Sequence, residues 1–248
     1  MDAEIKTIED LSLNAWPSHQ MQMYDGWILR FSYFYTYRTN CIEQIGPSLI
    51  PYARKIDYCE EVYRRWKTPC IFKISPVTDP ALEKMLLARG YTAGRSFDVM
   101  TMDITDFTKT SEVKVRIENR VSYQWLEGLF RLKNTTDIIH RRIVPSMYDA
   151  IPKDEIAVSI VENETVLATG LGILDRDYVG VYAIHVEDQC RRRHFGRSIV
   201  STILNEGRKH GAEKAYLQVV SDNEPAKSLY RSLGFSKKYD YHFTSREV

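Results

Sequence analysis

The stretch from Tyr182 to Phe235 constrains the fold of this chain most. An apolar, strand-like run, Val179 to Val186, leads into Gln189-Cys190-Arg191-Arg192-Arg193-His194-Phe195-Gly196-Arg197-Ser198, and a helical run, Arg197 to Lys209, leads out. A basic turn that feeds a helix N-terminus suits a phosphate. The first N–H groups of a helix have no intrahelical partner, and the dipole there favours negative charge. Arginine side chains add charge-assisted bonds to phosphate oxygens. The same residues also read as a solvated basic loop at a strand–helix junction. Next come the turn Gly211-Ala212-Glu213-Lys214 and a second strand-like run, Ala215 to Val220. Asp222 or Asn223 then caps another helix, with Pro225 in its first turn. Ala226, Leu229, Tyr230 and Leu233 share one face of that helix, Gly234 fits its left-handed C-terminal position, and Phe235 folds back over the end.

Read together, these residues resemble the GNAT superfamily of N-acetyltransferases. The pattern there is a strand ending in Val, then Arg/Gln-x-x-Gly-x-Gly/Ala, a helix, a strand, and Asn-x-x-Ala-x-x-Leu-Tyr-x-x-Leu-Gly-Phe. Here the first half reads Val186 … Arg191-Arg192-Arg193-His194-Phe195-Gly196, and the second reads Asn223-Glu224-Pro225-Ala226-Lys227-Ser228-Leu229-Tyr230-Arg231-Ser232-Leu233-Gly234-Phe235. Either half alone is a weak signal; both in order, separated by one helix and one strand, are strong. The close match covers about the last quarter of the chain, and element order extends it back to about residue 113. The fold implied is α/β, a mixed sheet of the acyl-CoA N-acyltransferase type.

A chain of 248 residues makes one large domain or two small ones. Hydrophobic content of 44% and charged content of 27% are ordinary for a soluble protein, and a net charge of +1 gives no global field for nucleic acid. No apolar run approaches the ~20 residues of a membrane span, and Met1 to Lys6 has no signal-peptide pattern. Cys41, Cys59, Cys70 and Cys190 lack metal-like spacing, so no metal is expected; free thiols fit a reducing cytoplasm. Cys190, beside three arginines, reads as incidental rather than as a nucleophile.

Residues 7 to 15 read as a helix stopped by Pro17, with Ile8, Leu11 and Trp16 apolar. Asp25-Gly26 turns the loosely alternating run from Met21 to Phe31. Tyr33-Phe34-Tyr35-Thr36-Tyr37 is read first as core and sheet packing, second as an aromatic wall for a substrate, and Arg38 to Ile42 as extended chain. After the break at Gly46 to Pro51 comes a helix from Asp57 to Trp66, apolar at Tyr58, Val62 and Trp66. Cys70 to Ile74 is a strand, Asp79-Pro80 opens a helix through Ala88, and Phe97 to Met102 is a second strand.

This last segment parallels the C-terminal end. Pro80 and Pro225 each sit eight residues after Phe72 and Leu217, and Leu86 to Tyr91 echoes Tyr230 to Phe235 with one residue of drift. We read a degenerate internal repeat. The first copy has Gly46 to Lys55, with two prolines, where the second has Arg191 to Ser198, so it offers fewer N–H donors and is expected to bind no pyrophosphate. Its expected work is to pack on the second copy and shape the substrate opening, as in tandem GNAT proteins with one degenerate half. The divisions are residues 1–104, a polar linker at 105–112, and a catalytic domain at 113–248. The second copy begins with a strand at Val113 to Ile117. Helices at Tyr123 to Leu132 and Ile138 to Tyr148 follow, the latter bent at Pro145. A three-strand meander, Ile156 to Val161, Val166 to Leu174 and Val179 to Val186, completes the approach to the loop.

Acyl transfer from a thioester needs a seat for the carrier, a polariser for the carbonyl, a route for the amine proton and an acid for the departing thiolate. The resemblance implies acetyl-CoA as cosubstrate. Its pyrophosphate would sit on N–H groups from Arg191, Arg192, Arg193, His194, Phe195, Gly196, Arg197 and Ser198, and its pantetheine arm beside Ile184, His185 and Val186. An N–H near Val186 would face the thioester oxygen, Asn223 would reach the carrier, and Tyr230 would protonate the leaving sulfur. His194 stands where the first loop glycine usually sits, where it crowds the phosphate or adds a donor. Gln218 stands where some relatives carry a glutamate base and cannot take a proton; His185, Glu187, water or a group from the first copy remain as bases.

The implied function is an acyltransferase of the EC 2.3.1 class, moving acetyl from acetyl-CoA to a small-molecule or peptide amine by direct attack in a ternary complex. A second reading is a non-catalytic acetyl-CoA sensor or structural module. Nucleic-acid binding through Arg191 to Arg193 is poorly supported, because the stripe is short and the aromatics lie elsewhere. No membrane partner and no oligomeric state are read from the sequence.

Overall fold

The computed structural model describes residues 2–111 and 113–248; Met1 and the last linker position, Glu112, lie outside them. The first half runs α1 (Ala3–Ala15), β1 (Gln20–Tyr24), β2 (Trp27–Phe31), β3 (Ile42–Gln44), α2 (Tyr52–Arg65), β4 (Cys70–Ile74), α3 (Pro80–Ala88) and β5 (Thr92–Asp103). The second runs β6 (Arg116–Glu118), α4 (Tyr123–Leu132), α5 (Ile138–Asp149), β7 (Asp154–Glu162), β8 (Thr165–Asp175), β9 (Tyr178–Val186), α6 (Phe195–Lys209), β10 (Lys214–Val220), α7 (Glu224–Leu233) and β11 (Ser236–Arg246). This is the α/β order expected, with Pro145 inside α5.

Three local readings are corrected. Helix α1 starts at Ala3 rather than residue 7, because Asp2 caps it by accepting from the Glu4 N–H at 2.9 Å. Helix α2 starts at Tyr52, directly after Pro51, and buries Ile56, Cys59 and Tyr63; Trp66 is left half exposed, stacked on Phe31 at the rim. Arg38 to Ile42 is not extended throughout: Tyr37–Thr39 is a short 3₁₀ turn. The cause is Asn40, fully buried, whose side-chain oxygen accepts from the Ser32 and Phe34 N–H groups and whose amide donates to the Thr36 carbonyl at 2.6 Å. The aromatic run is therefore a loop wrapped around one asparagine, with Tyr33 and Tyr37 exposed, and not a sheet segment.

Among the described residues, the eleven strands form one sheet in the order β1-β2-β3-β4-β11-β5-β10-β9-β8-β7-β6. The repeat is visible in its middle. Strand β5 follows β4 and α3 in the chain but pairs with β10; β11 follows β10 and α7 but pairs with β4. Each half thus completes the other half's sheet. Register obeys the same exchange. Phe72 faces Thr244 and Leu217 faces Met100, while Phe97 faces Tyr241, its counterpart in the repeat, with the rings stacked at 5.2 Å.

Alternation along the strands divides the core between two faces. Ile156, Val158 and Ile160 of β7 and Ala215, Leu217 and Val219 of β10 pack with Ile199, Ile203 and Leu204 of α6 and Leu233 of α7. Cys70, Phe72 and Ile74 of β4 pack with α2 and α3. The intervening residues point the other way: Ala157, Leu171 and Ile173 meet α4 and α5, while Tyr216, Tyr241 and Ile71 meet Ile8 and Leu11 of α1.

Candidate functional site

The sheet opens where β9 and β10 part. Their parallel ladder runs from the Lys214–Tyr178 pair to the Leu217–Val181 pair and stops, and Tyr182 to Val186 are only half buried. A bulge lies just past the end of the ladder. Gly170 of β8 faces two residues of β9, Ala183 and Ile184, because the register steps from Leu171–Tyr182 to Thr169–His185. Ala183 takes φ 51°, and its carbonyl accepts from Thr169 Oγ1 at 3.1 Å. The bulge requires glycine opposite it: a Cβ on Gly170 would lie 2.2 Å from Ile199 Cγ2 and 2.7 Å from Ile184 Cδ1. As a result Ile184 and Val186 pack toward α6, while His185 turns to the other face beside Tyr182 and Ala183.

On the α6 side, the loop from Arg191 to His194 brings the chain onto the helix N-terminus. Arg192 and His194 both take left-handed conformations, φ 64° and 61°. Position 194 thus holds a histidine in a backbone conformation that favours glycine. The first intrahelical bond runs from the Ser198 N–H to the His194 carbonyl, 2.9 Å, so the N–H groups of Phe195, Gly196 and Arg197 precede the ladder. Arg191 is ion-paired to Asp188, and Arg193 to Glu162 while lying over the Phe195 ring; Arg197 donates to Ser232 Oγ. Arg192 has no carboxylate partner among the described residues. Cys190 is buried in the core with Phe195.

Helix α7 packs beside α6 and carries the other two expected residues. Asn223 caps it, its side-chain oxygen accepting from the Ala226 N–H at 3.2 Å, which leaves the amide nitrogen available. Gly234 closes it at φ 124°. Tyr230 is buried, edge-on to Phe235, and its hydroxyl makes no hydrogen bond among the described residues. Burial pushes its phenol up to about 12, so the proton stays on at neutral pH.

On the opposite face the fork opens into a cavity of about 200 Å³. Tyr182, Ala183 and His185 of β9 and Gln218 of β10 form its sheet side, with Leu129 of α4, Lys133 just past its end and Tyr148 of α5 across from them. Ser12, Ala15 and Trp16 from α1 and its end, Arg30, the Tyr35–Arg38 loop, Glu43 and Lys73 complete the wall. Much of that wall comes from the first half of the chain. Of the aromatic side chains in that run, Tyr35 lines the cavity and gives the substrate-wall reading a place.

The cavity floor is a buried ion network. Lys73 Nζ lies 2.8 Å from Glu9 and 3.3 Å from Glu43, and Arg30 lies 3.3 Å from Glu43. Burial opposes the charge on Glu43, but Lys73 and Arg30 outweigh it and hold the carboxyl below its ordinary range. Tyr239 donates to Glu9 at 2.6 Å. Gln218 is a hydrogen-bond bridge, accepting from Tyr241 at 2.7 Å and donating to Ser12 Oγ at 2.8 Å. Of the expected base candidates, Glu187 is tied to Arg131, while His185 lines the cavity. Burial, and then the Lys133 charge, push the imidazole down to about 4, so it is neutral at pH 7.

Arg30, Arg38, Glu43, Lys73 and Lys133 were not singled out by sequence reasoning. Two of them carried a signal. Arg30 and Lys73 each interrupt an otherwise apolar strand run, Trp27-Ile28-Leu29-Arg30-Phe31 and Cys70-Ile71-Phe72-Lys73-Ile74. A charge in such a run is buried with partners or faces a cavity. Among the described residues, no group of three His, Cys, Asp or Glu converges as for a metal, and no helix is long and apolar enough to cross a membrane.

Comparison with known proteins places this architecture. A family model described as "Probable histone acetyltransferase Rv0428c C-terminal" matches residues 2–244. The uncharacterized N-acetyltransferase YobR of Bacillus subtilis (strain 168) is 22% identical over 244 residues, 97% of this chain and 98% of its own. Among solved structures, a GCN5-related N-acetyltransferase from Kribbella flavida aligns with a TM-score of 0.73 at 14% identity, covering 100% of this chain and 96% of that one. A tandem GNAT protein from the clavulanic acid biosynthesis pathway aligns at 0.67 and 12% identity, covering 79% and 69%.

Proposed function

The chain belongs to the GNAT N-acetyltransferases, in the family of the probable histone acetyltransferase Rv0428c C-terminal region, and from that premise we propose that it moves acetyl from acetyl-CoA to a primary amine by direct attack in a ternary complex. The observation that carries this reading is the parting of β9 and β10 beyond Val181 and Leu217. The phosphate-suited loop lies on one face of that fork and the cavity on the other, so carrier and acceptor can approach from opposite sides. Residues 1–104 shape the acceptor side, residues 105–112 link, and residues 113–248 supply the carrier side.

In this reading the pyrophosphate lies on the N–H groups at the start of α6, with Arg192 free to add charge and the paired Arg191 and Arg193 able to exchange weak surface partners for phosphate. The pantetheine arm runs along the unpaired edge of β9 at Ile184, His185 and Val186, and Asn223 offers its free amide nitrogen. The amine attacks the thioester carbonyl, the C–S bond breaks, and the thiolate takes the Tyr230 proton. The amine proton leaves to water in the cavity; His185, neutral there, accepts a hydrogen bond from the amine, while burial and the Lys133 charge keep it a weak base. The four buried free thiols suit a reducing cytoplasm.

The test is calorimetric titration of acetyl-CoA into the protein and into Gly196→Glu. A Cβ at position 196 already meets Leu229 at 3.1 Å, and glutamate adds a charge at the phosphate seat. Micromolar binding, lost in the variant, is expected. Absence of binding to the unaltered protein refutes the carrier site, and binding without release of CoA thiol across an amine panel makes the protein a sensor.

A further inference from the structure

We propose that the acceptor amine carries a carboxylate, and that Arg38 and Lys133 hold it. This rests on the cavity being the acceptor site. Charge pairing in the wall motivates it. Arg30 and Lys73 are neutralised by Glu43 and Glu9, at 3.3 and 2.8 Å. Arg38 and Lys133 also line the cavity, and neither has a carboxylate partner among the described residues. Their only described partners are tyrosines and aromatic rings. Arg38 Nε donates to the Tyr241 hydroxyl at 2.9 Å, and its guanidinium lies 4.7 Å over the Phe97 ring. Both Nη groups are thus free of described partners, the arrangement that a carboxylate meets with two parallel bonds. Lys133 Nζ donates to Tyr35 at 2.5 Å, its charge 4.8 Å from that ring, at the exposed edge of the cavity.

Two uncompensated cations in a small cavity repel a second ammonium and attract an anion. They also lower the proton affinity of a bound amine, which favours the neutral nucleophile. Glu43, the carboxylate on the wall, is already paired with Arg30 and Lys73, so it does not offset them. Trp16, Tyr148, Leu129 and Leu171 supply an apolar side for the body of the substrate. A cavity of about 200 Å³ has room for the body of a small amino acid-like molecule.

The experiment titrates acetate, benzoate and phenylacetate, and the amide of each, into the protein without coenzyme, and repeats this with Lys133→Gln and with Lys133→Gln/Arg38→Met. At least one acid is expected to bind tenfold or more tightly than its amide. That ratio should fall in Lys133→Gln and vanish in the double variant, with amide binding unchanged. The proposal is overturned if each amide binds as well as its acid, if no probe binds, or if the acid preference survives both substitutions. Because the fold of Lys133→Gln rests on no buried contact, it keeps the test open should Arg38→Met fail to fold. Acetyl-CoA binding, measured separately, decides the carrier site independently of either result.

Discussion

Replacing Lys73 by methionine probes the cavity floor at the point where the two halves meet. The ammonium is buried between Glu9 of α1 and Glu43 of β3, at 2.8 and 3.3 Å, and lies 4.6 Å over the Tyr241 ring. With an effective dielectric of about 20, those two attractions amount to roughly 6 and 5 kcal/mol. Several kcal/mol of that offset the desolvation of each ion, so removing one partner of such a buried network is expected to cost about 3–5 kcal/mol. For a chain of this size that lowers Tm by about 6–20 °C. The sign of the pH dependence is a sharper test. In the native protein Glu43 is held below its ordinary carboxylate range, so its contribution is present above that range and is lost as pH falls through the folded value. Lys73 is raised, so its contribution holds below the ordinary lysine value and is lost only as pH rises through a still higher one. The network is therefore at full strength near neutrality. In Lys73→Met the two carboxylates keep one cation, Arg30, with the Tyr239 hydroxyl and the Cys41 thiol as neutral donors, and one of them should take up a proton above the ordinary carboxylate value. The penalty should then be smaller at pH 5 than at pH 8. Thermal unfolding of both proteins across that interval measures it. A loss below about 1 kcal/mol at pH 8, or one that grows toward pH 5, would refute the reasoning.

Tyr230→Phe is expected to lower kcat by about 100-fold or more, with the KM for acetyl-CoA unchanged, because a positioned acid contributes on that scale. Its Tm should move by no more than about 2 °C, since the hydroxyl makes no bond among the described residues; steady-state kinetics and calorimetry check both. With the Tyr230 phenol near 12, any loss of kcat as pH rises from 7 to 9 should persist in Tyr230→Phe. Gly170→Ala places a Cβ 2.2 Å from Ile199 and is expected to cost about 2 kcal/mol by denaturant titration while loosening acetyl-CoA, because the bulge aims the β9 edge. His194→Gly should bind acetyl-CoA at least as tightly as the native protein by calorimetry, since it frees the left-handed position of its Cβ; a tenfold loss would instead show that the imidazole is a phosphate donor.

Much of the fold was legible because its signals are local. Val179 to Val186, the loop to Gly196, and the Asn223–Phe235 helix with its cap and terminal glycine depend on neighbours within a turn or two, and so did the repeat that ties Phe72 to Leu217. The residues proposed for the carrier lie in these segments, which is why they could be named from sequence order. Boundaries were missed where a cap lay outside the periodic run, as with Asp2, or where a side chain reorganised the backbone, as Asn40 does for the aromatic loop. The exchange of β5 and β11 was not legible, because strand pairing is long-range and both edges offer the same backbone groups. The cavity wall was not legible for the same reason. Arg38 approaches Tyr241, Lys133 approaches Tyr35 and Lys73 approaches Glu9 only after the sheet has assembled, and no spacing along the chain encodes those meetings. The sequence by itself determined the family, the two-copy order and the loop on which the carrier seat is proposed. The tertiary structure alone decided which charges face the cavity, because charge complementarity belongs to groups brought together across a fold and not to neighbours in a chain.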